Sequence, residues 1–298
     1  MSAIKRYSTP AAFRAALRDR LRRVAIEKGE SWLIHQRKLM VFDRLLARLL
    51  IAAPDRWILK GAVALDFRFG DRARTTMDLD LARQDDEDAA TSDLLAAQAI
   101  DLGDFFTFSI ERIQRLSGVA EGAVRYRVRA DIDGSRFEEV TLDIGFADPL
   151  ELLPDLLQGP DLFGFAGIPS IAVPALTLNQ HVAEKLHAYT RDYGGRQSSR
   201  VKDLVDLVLI SSTAEFEAGR LRHEIDRTFA SRGTQSVPES VPAPPESWDT
   251  PYRRLASEID LNPDVAVGHR RTVAFLDPIL SGNAPTGARW NPEEALWK

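Results

Sequence analysis

The sequence predicts an α+β fold, with a mixed α/β module at roughly 55–150 between two helical regions. Apolar residues recur at helical spacing before Pro54 and again after Thr177. Between these regions the pattern changes to the alternation of strands, and Asp133-Gly134 is a strong hairpin signal. We therefore divide the chain into an N-terminal helical segment (1–54), a core (55–175) and a C-terminal helical region (176–298).

The first helix is predicted to begin at Thr9-Pro10, because threonine caps helices and proline is favoured at the first helical position. A second helix follows and ends before Pro54. Both helices have an apolar residue at every third or fourth position on one side. These residues are Phe13, Leu17, Leu21 and Val24 in the first helix and Leu39, Phe42, Leu46 and Leu49 in the second.

The core is predicted to contain short strands and one helix. A strand at Trp57–Lys60 runs into a helix at Ala62–Phe69, and three further segments alternate as strands do. These segments are Met77–Leu81, Val124–Val128 and Phe137–Phe146.

The C-terminal region returns to helical spacing from Thr177 and again from Val201. The segment 236–251 contains five prolines among Ser, Glu and Ala, so we expect an exposed, extended connection. The residues from Tyr252 to about Leu280 are predicted to be helical, with a break near Asn262-Pro263.

Composition excludes several classes of protein. With 298 residues, 44% of them hydrophobic, the chain can bury a large core. It has no cysteine, which excludes disulfides, thiolate metal sites and a cysteine nucleophile. No apolar stretch approaches the ~20 residues of a membrane span, and Met1–Arg6 does not start a secretory signal. We expect a cytoplasmic protein without a membrane partner.

Charge is distributed unevenly along the chain. Residues 1–50 hold 12 Lys and Arg against 4 Asp and Glu, a local charge of +8, so the remaining residues carry −13 of the total of −5. A basic segment of this kind can attract a polyanion such as RNA. An ordinary solvated helix surface explains it equally well.

The most specific local feature is Asp78-Leu79-Asp80-Leu81. In a strand, alternate side chains share a face, so both carboxylates point one way while the leucines point into the core. Adjacent carboxylates repel each other, and a divalent cation between them, with Mg²⁺ the best fit, removes that repulsion. A solvated edge strand is the alternative.

A third carboxylate, Asp143, strengthens the metal interpretation. In Val140–Phe146 the apolar residues alternate with Thr141, Asp143 and Gly145, so Asp143 joins the aspartate pair if both strands face the same core. Three acids on neighbouring strands suit two-metal phosphoryl transfer, in which Asp143 completes a metal site or acts as general base. Asp148 is a weaker candidate, since it precedes Pro149 and fits a turn.

Four basic or glycine-containing features could bind phosphates. The strand-to-helix turn at Lys60-Gly61-Ala62 allows close backbone approach to a phosphate, or is a plain turn. Lys185 could neutralise a triphosphate, or is a surface lysine. Arg200 and Asp203 could belong to a site, or form a helix ion pair. The basic loop 191–200, with Tyr193 able to stack a base, could contact RNA or be a connector.

These residues carry a family resemblance. Leu59-Lys60-Gly61-Ala62, Asp78-Leu79-Asp80-Leu81 and Leu142-Asp143-Ile144, in that order, resemble the DNA polymerase-β-type nucleotidyltransferases. Downstream, Glu184-Lys185-Leu186-His187-Ala188 and Arg200-Val201-Lys202-Asp203-Leu204-Val205-Asp206 resemble the later signatures of the AbiEii/AbiGii toxin nucleotidyltransferases. The second of these blocks is the most specific, and the resemblance covers roughly 55–280.

The resemblance implies a polymerase-β-like mixed sheet and a role for each matching residue. Asp78 and Asp80 would hold Mg²⁺, Lys185 would grip the triphosphate, Asp203 would be the later essential acid, and Gly61 would belong to the nucleotide-binding turn. Lys60, Ala62 and Arg200 would contribute to nucleotide binding. Ala62 departs from the serine frequent in relatives, and the spacer before Asp78 is long.

The implied function is a toxin that transfers nucleotides from a nucleoside triphosphate to RNA, with the tRNA 3′ end as acceptor, and so blocks translation. The implied protein partner is a cognate antitoxin. Two alternatives remain open: a small-molecule nucleotidyltransferase, and a nonenzymatic module that binds nucleotides or RNA.

Overall fold

The computed structural model describes residues 6–113, 123–146, 153–192, 200–285 and 287–298. The chain divides into two compact units. The first combines Met1–Gly70 with Thr75–Ala175, and the second combines Asp71–Arg74 with Leu176–Lys298. The predicted α+β class is confirmed, since helices accompany a mixed sheet.

The first unit begins with the two predicted helices. The Thr9 hydroxyl accepts a hydrogen bond from the Ala12 N–H, which caps the first helix as the sequence indicated. Gly29, at φ 90°, separates the two helices. The described helices of this unit are α1 (Pro10–Lys28), α2 (Glu30–Ala52), α3 (Gly61–Phe69) and α4 (Glu87–Ala99).

A seven-stranded sheet forms the centre of the first unit. Its strands are β1 (Ile58–Lys60), β2 (Asp78–Ala82), β3 (Phe106–Arg112), β4 (Ala123–Ile132), β5 (Ser135–Gly145), β6 (Asp155–Gln158) and β7 (Ala172–Ala175). Their spatial order is β3-β4-β5-β2-β1-β7-β6. β2 pairs with β5, and β1 with β7, in parallel, whereas the other neighbours are antiparallel.

The two faces of β4 and β5 differ in polarity. Val124, Val128 and Leu142 are buried on the face that the helices cover, and Tyr126 shares a hydrogen bond of 2.7 Å with Thr91 of α4. Alternation then places the polar residues of both strands on the opposite face. This polar face contains the predicted carboxylates.

Residues 10–52 pack into the first unit. The Phe13 side chain is fully buried and lies in a group of rings, with centroids 5.4 Å from Phe105 and 6.1 Å from Phe165. Arg48 of α2 donates to both oxygens of buried Asp104, at 2.9 and 2.7 Å. Burial of one such aromatic ring contributes about 2–3 kcal/mol, so α1 is firmly anchored.

The second unit is mainly helical, as predicted. Thr177 and Gln180 form a reciprocal capping box at the start of its first long helix. The described helices are α5 (Leu178–Thr190), α6 (Val201–Thr213), α7 (Ala218–Arg232), α8 (Asp249–Ser257) and α9 (Val265–Leu280). A small sheet contains β8 (Phe216–Glu217), β9 (Arg289–Asn291) and β10 (Leu296–Trp297).

The proline-rich segment 236–251 is largely exposed, as expected, but two of its residues are buried. Val241 and Trp248 are buried, and the Tyr189 hydroxyl donates to the Pro242 carbonyl at 2.7 Å. The segment therefore packs against the helices of its unit through its few buried apolar side chains. The predicted interruption near Asn262-Pro263 is confirmed, since these residues lie between α8 and α9.

Candidate active site

The aspartate pair lies on β2 as the alternation predicted. Asp78 and Asp80 are partly buried, whereas Leu79 and Leu81 are fully buried in the core of the first unit. The two carboxylates therefore share the polar face of the sheet. The buried leucines fix the strand, so the carboxylates have little freedom to move apart.

Asp143 lies beside this pair. β5 runs parallel to β2, and its register places Asp143 opposite Asp80. Neighbouring strands are about 4.8 Å apart, so three carboxylates are concentrated on two adjacent strands.

The same register extends the row in both directions. Lys60 of β1 lies opposite Asp80, and Arg125 of β4 lies opposite Asp143. Directly opposed residues share a face of the sheet. The row across four strands is therefore Lys60, Asp80, Asp143 and Arg125, with a cation at each end and the carboxylates between.

Arg125 binds Asp143 through a fork of two hydrogen bonds. Its Nε donates to Oδ1 at 2.7 Å and its Nη2 donates to Oδ2 at 2.6 Å. The hydrogen bond with Asp143 raises the pKa of Arg125; burial opposes this, while the charges of Asp143, Asp78 and Asp80 add to it. The guanidinium therefore offsets part of the negative charge of the three aspartates.

Gly61 brings the start of α3 against Asp80. Its φ is 67°, and a Cβ at this position would lie 1.9 Å from Asp80 Oδ2. No side chain fits, so only glycine allows the chain to turn from β1 into α3 here. Ala62, the next residue, is buried. The N-terminal turn of a helix offers free N–H groups to anions, and this one begins beside the carboxylates.

The donor set fits a hard divalent cation. Mg²⁺ takes one or two carboxylates from the protein, and Asp78 and Asp80 offer two on one face. Both Asp143 oxygens accept from Arg125 instead. In the part of the chain that the structure describes, no group of three or more His, Asp or Glu side chains is arranged to hold a metal. The residues therefore fit one metal ion held by Asp78 and Asp80. Asp143 can become a third ligand only if Arg125 releases its carboxylate.

The second unit contains a separate ionic cluster around Lys185. The Lys185 ammonium lies 2.7 Å from Asp206 Oδ2 and 3.2 Å from Asp203 Oδ1. Arg74 donates to both oxygens of Asp206, each at 2.9 Å. The Lys185 side chain is only 13% exposed, so the surface-lysine interpretation is wrong.

Charge pairing keeps this cluster ionised despite its burial. Burial alone would raise the pKa of Asp206, but the positive charges of Lys185 and Arg74 outweigh it and lower the pKa to about 2. For Lys185, burial lowers the pKa, and the charges of Asp206 and Asp203 more than reverse this. Lys185 is therefore held as a cation.

Arg200 completes the cluster at the start of α6. Its Nε lies 2.6 Å from Asp203 Oδ2, so the ion pair expected at this spacing is formed. Three cations, Arg74, Lys185 and Arg200, thus surround two carboxylates.

Two of the candidates are not described. Asp148 and Tyr193, with most of the loop 191–200, lie outside the described residues.

Sequence reasoning gave no role to Arg125, Arg74 or Asp206, although Asp206 ends the block that begins at Arg200 and carries the resemblance. Asp206 has a signal, since it follows Asp203 by three residues and shares its helix side. Arg125 and Arg74 have no such signal in the sequence. Each is distant along the chain from the carboxylate that it binds, Asp143 and Asp206 respectively.

A family model matches residues 44–291: the nucleotidyl transferase AbiEii toxin of type IV toxin–antitoxin systems. Among solved structures, the fold is similar to the nucleotidyltransferase toxin MenT4 of Mycobacterium tuberculosis H37Rv, with a TM-score of 0.57, 19% identity and 89% coverage of each chain. JHP933 of Helicobacter pylori matches at a TM-score of 0.45 and 15% identity, over 83% of this chain and 93% of that one. No curated relative matches significantly. None of the described helices is long and apolar enough to cross a bilayer.

Proposed function

The chain belongs to the AbiEii family of nucleotidyl transferase toxins, and on this basis we propose that it transfers a nucleotide from a nucleoside triphosphate to RNA in the presence of Mg²⁺. We take the 3′ end of tRNA as the acceptor and arrest of translation as the result. The family is that of type IV toxin–antitoxin systems, so a cognate antitoxin is the implied partner.

The transfer forms one bond and breaks one. The acceptor hydroxyl oxygen attacks the α-phosphorus, pyrophosphate leaves, and the hydroxyl proton passes to a base. Asp143 is the proposed base once it is free of Arg125, and in an alternative role it completes a metal site. Asp78 and Asp80 would hold Mg²⁺, which supplies Lewis-acid activation and neutralises phosphate charge when bound.

Other residues would bind the nucleotide. The N-terminal turn of α3, with Lys60, Gly61 and Ala62, offers N–H groups and a positive charge to phosphate oxygens. Lys185 would grip the triphosphate, supported by Asp203 and Arg200. The Lys185 ammonium is held as a cation, which suits a polyanion.

The observation on which the proposal depends is the in-register row of Asp80 and Asp143 on adjacent strands, with Asp78 on the same face and Gly61 against Asp80. A solvated edge strand, the alternative interpretation of the aspartate pair, is wrong, because β2 lies between β5 and β1.

The test is incubation of the purified protein with total tRNA and each labelled nucleoside triphosphate, with and without Mg²⁺. We expect label in tRNA only with the metal, and a loss of at least 100-fold in Asp80→Ala. Glu111→Ala, a change at an exposed position of β3, is the matched control and should label normally. Label in a small molecule, or equal labelling by Asp80→Ala, would contradict the proposal.

A further inference from the structure

Arg125 occupies an unusual place in the row of charges on the sheet. It lies opposite Asp143, which in turn lies opposite Asp80, so the guanidinium is the next charged group after the two facing carboxylates. Both of its hydrogen bonds go to the carboxylate that would otherwise complete a three-acid set. Arginine and carboxylate form this forked pair with high geometric preference.

The other arginines of β4 do not share this role. Arg127 lies on the same face but pairs loosely with Glu139 and Glu111, at 3.7 and 4.0 Å. Arg129 pairs with Asp131 on its own strand, at 2.9 Å. Of these three arginines, Arg125 alone contacts the aspartate cluster. Its side chain is 35% exposed, so it can leave Asp143 and point into water without a large change in the fold.

Electrostatics determines how Arg125 affects metal binding by the aspartates. Three carboxylates on two strands repel one another, and a cation is needed to offset this. Arg125 supplies one charge through a fork, whereas a divalent ion supplies two and bonds directly to oxygen. Arg125 and a metal ion on Asp143 therefore compete for the same oxygens.

We propose that Arg125 is a positioning residue that acts as an internal counter-ion of Asp143. It releases Asp143 when a divalent cation is bound by all three aspartates. This inference rests on the proposed function, since it concerns the same carboxylates. It assigns to Arg125 control over how tightly the site binds metal. Arg125 acts through Asp143 and stabilises the metal-free cluster.

The test measures metal binding directly. The full-length protein is titrated with Mn²⁺ alone, and free Mn²⁺ is followed by electron paramagnetic resonance. Arg125→Gln should bind Mn²⁺ at least tenfold more tightly than the wild type, because the competing charge is absent and Asp143 is free. Arg125→Lys keeps the charge but loses the fork, so its affinity should lie between the two.

Two controls identify the cause. Arg127→Gln removes the same charge from the next position on the same face and should leave Mn²⁺ affinity within about twofold of the wild type. The double variant Arg125→Gln/Asp143→Asn should lose most of the gain, because the freed carboxylate is the new ligand. Thermal melts should show a lower midpoint for metal-free Arg125→Gln and a larger rise on adding Mn²⁺.

The outcomes separate this inference from the proposed function. If the wild type binds Mn²⁺ through Asp78 and Asp80 but Arg125→Gln binds it equally or more weakly, this inference alone is overturned. It is also overturned if the double variant keeps the whole gain. If the wild type binds no Mn²⁺ at all, both the inference and the proposed function fail.

Discussion

Gly61 and Asp80 show how closely single residues constrain this site. The backbone of Gly61 passes so near Asp80 that one added carbon atom would overlap its carboxylate. The positive φ of Gly61 is also costly for any other residue. A methyl group at this position should therefore affect both the backbone and the carboxylate.

We predict that Gly61→Ala lowers nucleotidyl transfer at least 100-fold, because Asp80 must move away from the new Cβ. Gly134→Ala is the matched control: its φ is also positive, at 63°, but nothing lies within 4 Å of the added carbon. Both variants should lose about 1–2 kcal/mol of stability to backbone strain. tRNA labelling and urea unfolding measure the two effects. Equal activity in the two variants would contradict the role given to Gly61.

Asp206 provides a pH-dependent prediction in the second unit. Its folded-state pKa is lowered from 3.8 to about 2, so it contributes stability above its unfolded-state pKa and loses that contribution as the pH falls from about 4 toward 2. Asp206→Asn leaves Lys185 and Arg74 without this partner, and should cost about 3–5 kcal/mol at pH 7.

Urea unfolding followed by circular dichroism at several pH values tests this. The stability difference between the wild type and Asp206→Asn should be constant above about pH 5 and shrink by about 2 kcal/mol toward pH 2. Asp226→Asn, in an exposed pair with Arg222, is the control and should change stability by less than about 1 kcal/mol. A difference that does not depend on pH would show that Asp206 does not titrate as described.

At the scale of elements, the sequence predicted those with a clear period or cap. α1 has the threonine cap that the sequence predicted, α5 begins next to Thr177 as expected, and β1, α3 and β2 lie within one or two residues of their predicted bounds. Other elements were not predicted. The short strands among them offer little pattern, whereas β3 and α7 do have a period that the sequence analysis did not use. The elements not predicted are α4, α7, β3, β6, β7 and the three strands of the small sheet.

Strand register explains why Arg125 was not predicted. The two-residue turn Asp133-Gly134 pairs Ile132 with Ser135, and a uniform register from this turn would place Arg125 opposite Leu142. An irregularity at Ala130/Asp131 shifts the pairing by one residue and places Arg125 opposite Asp143. A shift of one residue exchanges the two faces of a strand. The signal for it is the break in the alternation of β5, where buried Phe137 and Val140 are three residues apart instead of two or four.

The exposed side of α1 should bind RNA if the proposed function holds. Arg18, Arg22 and Arg23 are exposed; Arg20 is exposed as well, but its guanidinium lies over the Phe165 ring. α1 also precedes the residues that match the family model. Reversal of the three exposed arginines to glutamate should weaken tRNA binding at least tenfold and reduce its salt dependence by about one unit of slope per lost phosphate contact.

The control for α1 has the same change in net charge at another place. Arg220, Arg253 and Arg254 are exposed on α7 and α8, and their reversal should weaken tRNA binding by less than threefold. Filter binding at several salt concentrations gives both quantities. An equal loss in the two triple variants would mean that net charge, rather than α1, attracts the RNA. Full activity in the α1 variant would favour a small-molecule acceptor.

At the scale of the whole molecule, each unit contains its own ionic cluster. The first has three carboxylates with Arg125 as counter-ion, and the second has two carboxylates with three cations. The sequence predicted the members that belong to motifs and missed those supplied by distant segments, such as Arg74, which is 132 residues from Asp206. The overall charge of −5 gives no indication of either cluster.

The central claim is that Asp78 and Asp80 hold the metal ion used for nucleotidyl transfer. The most direct test is a crystal structure of the full chain with Mn²⁺ and a non-hydrolysable nucleoside triphosphate analogue, read by anomalous scattering. We predict a manganese peak at coordination distance, about 2.1 Å, from both carboxylates, with the triphosphate bound to the same ion. A manganese–nucleotide complex bound elsewhere, with Asp78 and Asp80 free of metal, would contradict the claim.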